Sequence, residues 1–484
     1  MFLNHLADKF VPLLTWILIT FPLWMSPFHP ALVAYFIIAF DIYFLYKALR
    51  TAYFASLSYQ EIQLAKKNNY ADKLASFPET KKIRHFVIIP NYKEPLYKLE
   101  LTIGNLVKND YPGKKIYLVL AFEKRENEAV QKAKSLIKKF KNDFNDIIVS
   151  YHVLGVNETA GKASNQTHAA RQVDRYVEKN HWDRKDILIT ICDADSLLSK
   201  DYFSYLTYVY CQDKDRIYHF YWGPVLLYNN FWKLPFFLRM QATLSSILRL
   251  AFLSQKNNLI QISTYSTNLW LLKEIDFWDV DIIPEDWHIY LQAFFTFGEK
   301  VRTIPLYTII NGDAVYSGKI IKTSLNRYEQ EKRWAWGVSD VGYAIKKFFD
   351  TPKIGVRIKI SKILFLIENH LLWPTSFFIL TVSASIPPLI NPVFKRTVLG
   401  FLLPKLAGLI LTLSSLMLGL YVYLDIKLRQ KVNQKTQLIS LPFLIVQWYL
   451  LPVVSFLFSS LPALEAHTRL LLGKDIKYKV TEKV

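Results

Sequence analysis

The stretch that most constrains this chain is Ile187–Ser196, which reads Ile-Leu-Ile-Thr-Ile-Cys-Asp-Ala-Asp-Ser. The run from Ile187 to Cys192 has the length and β-rich composition of a strand buried on both faces. It ends abruptly in Asp193 and Asp195. Two carboxylates at the end of a buried strand repel each other and are costly there without a cation. One residue apart at a strand's carboxyl end, they can present oxygens to a single hard divalent ion. That edge is where open α/β sheets bind ligands. The bland alternative is a surface turn opening on an aspartate, and the buried strand before it weighs against that.

Strand and helix patterns alternate on the approach to this stretch. His85–Pro90 reads as a short strand followed by a polar turn, Leu99–Asn109 as a helix, and Lys115–Phe122 as a second strand. Asn127–Lys141 is a charged helix, Ile147–Leu154 a third strand, and Ala160–Lys179 a helix with Gly161 and Lys162 near its start. Such alternation predicts a mostly parallel sheet with covered faces.

The rest of the chain is written for a membrane. Hydrophobic residues make up 51% and mean hydropathy is +0.13, high for a soluble protein, yet 21% of residues are charged. A soluble domain flanked by membrane segments satisfies both. The net charge of +20 suits nucleic acid or an anionic membrane surface; the apolar segments select the membrane, and no nucleic-acid partner is expected. Only two cysteines occur, Cys192 and Cys211. With one in the predicted buried strand, the domain reads as reduced and cytoplasmic rather than disulfide-built.

Phe10–Met25 and Ala31–Leu49 read as a transmembrane hairpin broken at Pro27, His29 and Pro30; a cleaved signal peptide is the alternative for the first, against which stand the lack of a small-residue cleavage site and the second segment that follows at once. Asp41 inside it is either a residue lining a polar path, or a group in a helix–helix hydrogen bond or at the lipid-headgroup level. Lys47, Arg50, Lys66, Lys67 and Lys73 follow the hairpin and place the next domain in the cytoplasm. Ser56–Asn68 is expected to lie along the membrane surface, and Leu234–Leu253 and Ile358–Ile367 read as interfacial helices. Three apolar segments follow at Leu371–Ile390, Val398–Leu424 and Leu438–Phe458. Lys427, Arg429, Lys431 and Lys435, and the tail lysines Lys474, Lys477, Lys479 and Lys483, all look cytoplasmic. Three crossings cannot satisfy both groups, so either the last segment is re-entrant around Pro442 and Pro452 or the tail is outside.

Five motifs then fall in one order. They are Val87-Ile-Ile-Pro-Asn-Tyr-Lys-Glu94, Gly161-Lys-Ala-Ser-Asn165, Asp193-Ala-Asp195, Glu285-Asp286 and Gln330-Glu-Lys-Arg333-Trp334. Together they resemble the family 2 glycosyltransferases, and the last resembles the Gln-x-x-Arg-Trp motif of the membrane-embedded cellulose and hyaluronan synthases. The resemblance covers about residues 84–337. It implies an α/β GT-A (Rossmann-like) cytoplasmic domain, with helical transmembrane segments, in a multi-pass inner (plasma) membrane protein. The expected division is a hairpin at 1–50, a basic linker at 51–83, the catalytic domain at 84–337, interfacial helices at 338–370, C-terminal membrane segments at 371–464 and a basic tail at 465–484.

The implied activity is inverting hexosyl transfer from a nucleotide-sugar, with UDP the expected carrier and GDP the alternative. Pro90, Tyr92, Glu94, Glu123, Lys162, Asp193, Gln330 and Arg333 would bind the donor. Family members often carry an Asp pair after the second strand. Here Leu120-Ala-Phe-Glu-Lys124 stands in that place, and Glu123 matches it only loosely. Asp193 and Asp195 would hold Mg²⁺ or Mn²⁺, a Lewis acid for the departing diphosphate. Arg333 offers a planar fork for phosphate oxygens, and Lys162 near a helix start adds charge to the same site. Asp286 is the expected general base, its pKa raised by a like-charged neighbour and apolar surroundings, with His288 the alternative. Glu285 and Trp334 would meet the acceptor. The aromatic and hydroxyl-rich stretches Trp222–Trp232 and Ser263–Trp270 either line the acceptor cleft or pack the core. Gln-x-x-Arg-Trp beside membrane segments implies processive polysaccharide synthesis; the alternatives are single transfer to a lipid or short glycan, and an inactive membrane scaffold.

Overall fold

A computed structural model describes residues 2–429 and 447–476. A seven-stranded sheet organises the domain between the membrane segments, its strands lying side by side in the order Asp146–His152, Ile116–Glu123, Arg84–Asn91, Ile187–Ile191, Tyr265–Asn268, Phe220–Trp222 and Thr303–Pro305. Its strands are β1 (Arg84–Asn91), β2 (Ile116–Glu123), β3 (Asp146–His152), β4 (Ile187–Ile191), β6 (Phe220–Trp222), β8 (Tyr265–Asn268) and β9 (Thr303–Pro305). β1 through β4 are mutually parallel, while β8 runs antiparallel to β4 and β6. A three-stranded sheet of β5 (Leu197–Leu198), β10 (Ile310–Asn311) and β7 (Val225–Leu226) sits beside it. Every residue of β2 and β4 is buried, which accounts for their unbroken apolar runs. Because β1, β2 and β4 are parallel, their carboxyl ends share one edge. That edge carries Pro90, Glu123 and, just past β4, Asp193 and Asp195.

Among the described residues six helices are long and apolar enough to cross a membrane: Leu6–Met25, Pro30–Ala65, Phe236–Leu253, Val356–Thr381, Val398–Leu428 and Gln447–Leu471. Two predicted divisions are corrected. The second helix runs unbroken from Pro30 to Ala65, so Ser56–Asn68 is its continuation and not a separate surface helix. No glycine or proline stands between Leu49 and Ala65 to end it. Likewise Ile358–Ile367 is the first half of one helix, Val356–Thr381. That helix accommodates Pro374 internally and ends at Thr381, short of the predicted Ile390. Phe236–Leu253 lies against the sheet domain, where Arg249 donates to the Val225 carbonyl (3.0 Å) and Ser246 accepts from Leu227 N (3.0 Å).

Lys431, Lys435, Pro442 and the first part of Leu438–Phe458, with Lys477, Lys479 and Lys483, lie outside the described residues. The flanks of the last segment are informative. On one side the Arg429 guanidinium lies 3.9 Å over the Phe231 ring. On the other, Glu465 accepts from Tyr328 (2.8 Å) and Lys332 (3.1 Å). Arg429 and Glu465 thus both contact residues of the sheet domain. Asp41 is buried at 2% exposure with neither carboxylate oxygen hydrogen-bonded. Among the described residues it is not one of those that line the cavity described below.

Candidate active site

All twelve residues predicted for the site line one cavity of about 1430 Å³: Pro90, Tyr92, Glu94, Glu123, Lys162, Asp193, Asp195, Glu285, Asp286, Gln330, Arg333 and Trp334. Topology explains most of the convergence. The helix Lys162–Lys179 follows β3 and so starts at the same edge as Asp193, and the helix Glu285–Phe297 opens directly after Pro284.

At the centre, Lys162 Nζ stands 2.9 Å from Asp193, 3.0 Å from Glu285 and 3.6 Å from Asp286. It also donates to the Ser263 carbonyl (3.0 Å). Burial opposes the Lys162 charge, and the three carboxylates overcome it and hold its pKa well above the ordinary lysine value. Asp286 is pushed up by burial foremost, against the pull of Lys162 and with the help of Glu285 and Asp193. Its Oδ2 accepts from Ser263 N (2.6 Å), and its backbone carbonyl accepts from Gln261 (3.0 Å).

Ser263 was not predicted individually. Its backbone is left-handed, with φ of 69°, an uncommon conformation for a side-chain-bearing residue. That turn aims its N–H at Asp286 while its hydroxyl donates to Asp193, so one residue ties the expected metal motif to the expected base. The surrounding aromatic stretches divide. Trp222 and Tyr265 are fully buried core, whereas Val225, Leu227 and Ser263 line the cavity.

Asp195 accepts from Asp313 N (3.1 Å) through its carboxylate and from Asn229 (3.1 Å) through its carbonyl. Lys98 pairs with Asp313 at 2.6 Å. Among the described residues no group of three or more His, Cys, Asp or Glu side chains is arranged to hold a metal. Two carboxylates are nonetheless the oxygen donors a hard cation takes, with room in its shell for phosphate oxygens.

On the flank toward β2, Glu123 is buried beside Arg125 (3.4 Å) and His152 (3.3 Å), and Arg125 stacks 4.2 Å over Tyr92. Asn165, last of its motif, donates to the Ala121 (3.0 Å) and Asn91 (3.4 Å) carbonyls, pinning the ends of β1 and β2 together.

Gln330, Arg333 and Trp334 share the helix Ile320–Ala335 and reach the cavity together, as three- and four-residue offsets require. Arg327, not predicted, donates to Gln330 (2.5 Å) and Gln241 (2.8 Å). Its guanidinium lies 4.9 Å from the Trp334 ring centroid and that of Arg249 lies 5.6 Å from it. His288 has both ring nitrogens engaged by Asp340 (2.7 Å) and Asp279 (2.9 Å). Beyond these groups the cavity continues between the membrane helices, past Tyr43, Lys47, Glu368, Ser376 and Ser414.

The family model described as glycosyl transferase family group 2 matches residues 188–457. No curated protein matches the chain in sequence. Solved structures similar to it include a mannosyltransferase from Pyrobaculum calidifontis, PcManGT, in complex with GDP-Man and Mn²⁺. It is 14% identical with a TM-score of 0.43, over 81% of this chain and 98% of that one. Residues 1–349 of S. aureus TarS with UDP-GlcNAc are 13% identical with a TM-score of 0.39, over 70% and 92%. GalNAc-T7 with UDP, GalNAc and Mn²⁺ is 12% identical with a TM-score of 0.36, over 60% and 59%.

Proposed function

The chain belongs to glycosyl transferase family group 2, and from that premise we propose that it is a processive, inverting polysaccharide synthase of the cellulose and hyaluronan synthase type. Its donor is a nucleotide-sugar, UDP-linked by default, and its catalytic domain faces the cytoplasm. The observation that carries this reading is the shared cavity. The base candidate Asp286 and the diphosphate candidates Asp193 and Lys162 meet at one end, and the membrane helices line the other.

In this mechanism Asp286 takes the proton from an acceptor hydroxyl as that oxygen attacks the anomeric carbon. The bond from that carbon to the diphosphate breaks, its electrons leave with the diphosphate, and the configuration inverts. Ser263 N–H and Lys162 keep the Asp286 carboxylate aimed. Arg333 balances charge on the leaving group in a water-poor site, where such a partner is strongest. A divalent cation held by Asp193 and Asp195 would supply Lewis-acid stabilisation of the same charge. Trp334 offers an aromatic face to the acceptor sugar.

Single transfer to a lipid acceptor is the second reading. It is favoured by the apolar share of the membrane end, where Phe44, Leu380 and Leu418 border the cavity. The deciding experiment incubates the purified full-length protein in lipid with a panel of labelled nucleotide-sugars and sizes the product. Long glycan supports the synthase, and a lipid carrying one sugar supports the alternative.

A further inference from the structure

His288 is 3% exposed, and each of its ring nitrogens faces a carboxylate oxygen. An imidazole can satisfy two carboxylates only by donating from both nitrogens, which requires the protonated ring. The ring is therefore not free to serve as a base. Its partners come from two directions. Asp340 opens the helix Ser339–Asp350, one short turn beyond the helix bearing Arg333 and Trp334. Asp279 belongs to the loop leading into the base helix. That loop accepts from Thr159 through the Val280 (2.8 Å) and Asp281 (2.9 Å) carbonyls and from Thr167 through Trp278 (3.1 Å), and so is bound to the segment carrying Lys162. The helix Ser339–Asp350 is itself braced on the first membrane helix. Lys346 pairs with Asp8 (2.7 Å), and any side chain at Gly342 would collide with Asp8.

We propose that His288 is a positioning residue for transfer: a charged clasp between Asp279 and Asp340 that fixes the Asp286 helix against the segment of Lys162 and the helix of Arg333 and Trp334. The inference rests on the proposed glycosyl transfer with Asp286 as base. The groups facing the ring are Asp279 from the loop and Asp340 and Tyr343 from the helix behind; Glu285, on the ring's own helix, acts on Asp340. Burial is the largest single influence on His288 and works against the charge, while Asp340 and Asp279 together outweigh it and raise the pKa to about 9. Above that pH the neutral ring has one donor for two carboxylates, and the clasp opens on one side.

The test is kcat and donor KM against pH for purified full-length protein in lipid. Wild-type kcat falls as the pH rises through about 9. Asp279→Asn removes one charge at a partly exposed position and keeps an acceptor, so the alkaline limb moves down by about one pH unit with donor KM unchanged. His288→Gln lowers kcat about tenfold or more, since one buried carboxylate loses its donor. The pair His288→Gln with Asp340→Asn restores most of that loss, because the two amides complement each other, and flattens the alkaline limb. An unmoved limb in Asp279→Asn, or wild-type kcat in a folded His288→Gln, overturns the proposal. If His288→Gln does not fold, Asp279→Asn decides alone. A wild-type protein inactive with every donor removes the functional reading, and this inference with it.

Discussion

The two ends of the cavity are built on opposite rules. At the sheet end, charge is buried and interlocked: Lys162 meets three carboxylates, and Ser263 joins two of them. At the membrane end, four of the hydroxyls that line the wall bond within their own helices. Ser376, Thr381, Ser414 and Ser415 each donate to a carbonyl four residues back in their own helix, at 2.6–2.9 Å. The ion pair Lys47–Glu368 there, supported by Tyr43, leaves its side chains more than a quarter exposed. Interlocked buried charges hold reacting atoms in place. Hydroxyls that already have partners offer few strong anchors, which on the proposed function suits a chain that must slide. On the proposed function, chemistry and passage are then separate properties of one space, so mutations at the two ends should fail differently.

The largest expected effect is at the base. Asp286→Asn keeps the shape and removes the proton acceptor, so transfer falls roughly 10²–10⁴-fold. Donor binding, followed by nucleotide titration, stays near wild type. Comparable loss of donor binding would merge base and donor site and break the comparison from the sheet end. Next is the diphosphate pole. Arg333→Ala costs on the order of 10²–10³-fold in kcat, and chelation or Asp195→Ala removes turnover while leaving folding and membrane insertion intact. Full turnover of Asp195→Ala with a chelator present would sink the metal assignment.

A third outcome is thermal and pH-dependent. The folded-state pKa of His288 is raised from 6.5 to about 9. Its contribution to stability is therefore whole below about pH 6.5 and is lost as the pH rises through about 9. Melting temperature should fall across that window in wild type and fall less in His288→Gln. The smallest effect on chemistry belongs to the membrane end. Lys47→Ala removes a part-exposed pair of a kind worth about 0–1 kcal/mol, and initial rates should stay within about threefold of wild type. Ser414→Phe narrows the passage, so it should shorten the product while leaving the rate of first-sugar transfer alone.

Legibility in the sequence followed the same division. Asp193, Asp195, Lys162 and the Glu285–Asp286 pair stand out because each sits at the end of a recognisable strand or the start of a helix, and parallel strands bring those ends to one edge. Ser263 escaped individual notice because its role depends on a left-handed backbone angle that no composition signals. Arg327 was hidden among other charges of its helix, and Glu368 meets Lys47 across 321 residues. His288 could be read as a base until its two carboxylate partners were in view. Two helices run on past the ends expected for them: apolar composition marks a long apolar helix without marking where it stops, and Pro30–Ala65 and Val356–Thr381 pass through the boundaries drawn at Leu49 and at Ile367.

The central claim is that one cavity joins a transferase centre to a passage for its product. It is tested most directly by the product-size distribution of the purified full-length protein in lipid, supplied with excess nucleotide-sugar. The account predicts long glycan from wild type, none from Asp286→Asn, and shorter chains from Trp334→Ala. Addition of only a single sugar by wild type, whatever the donor excess, would contradict it.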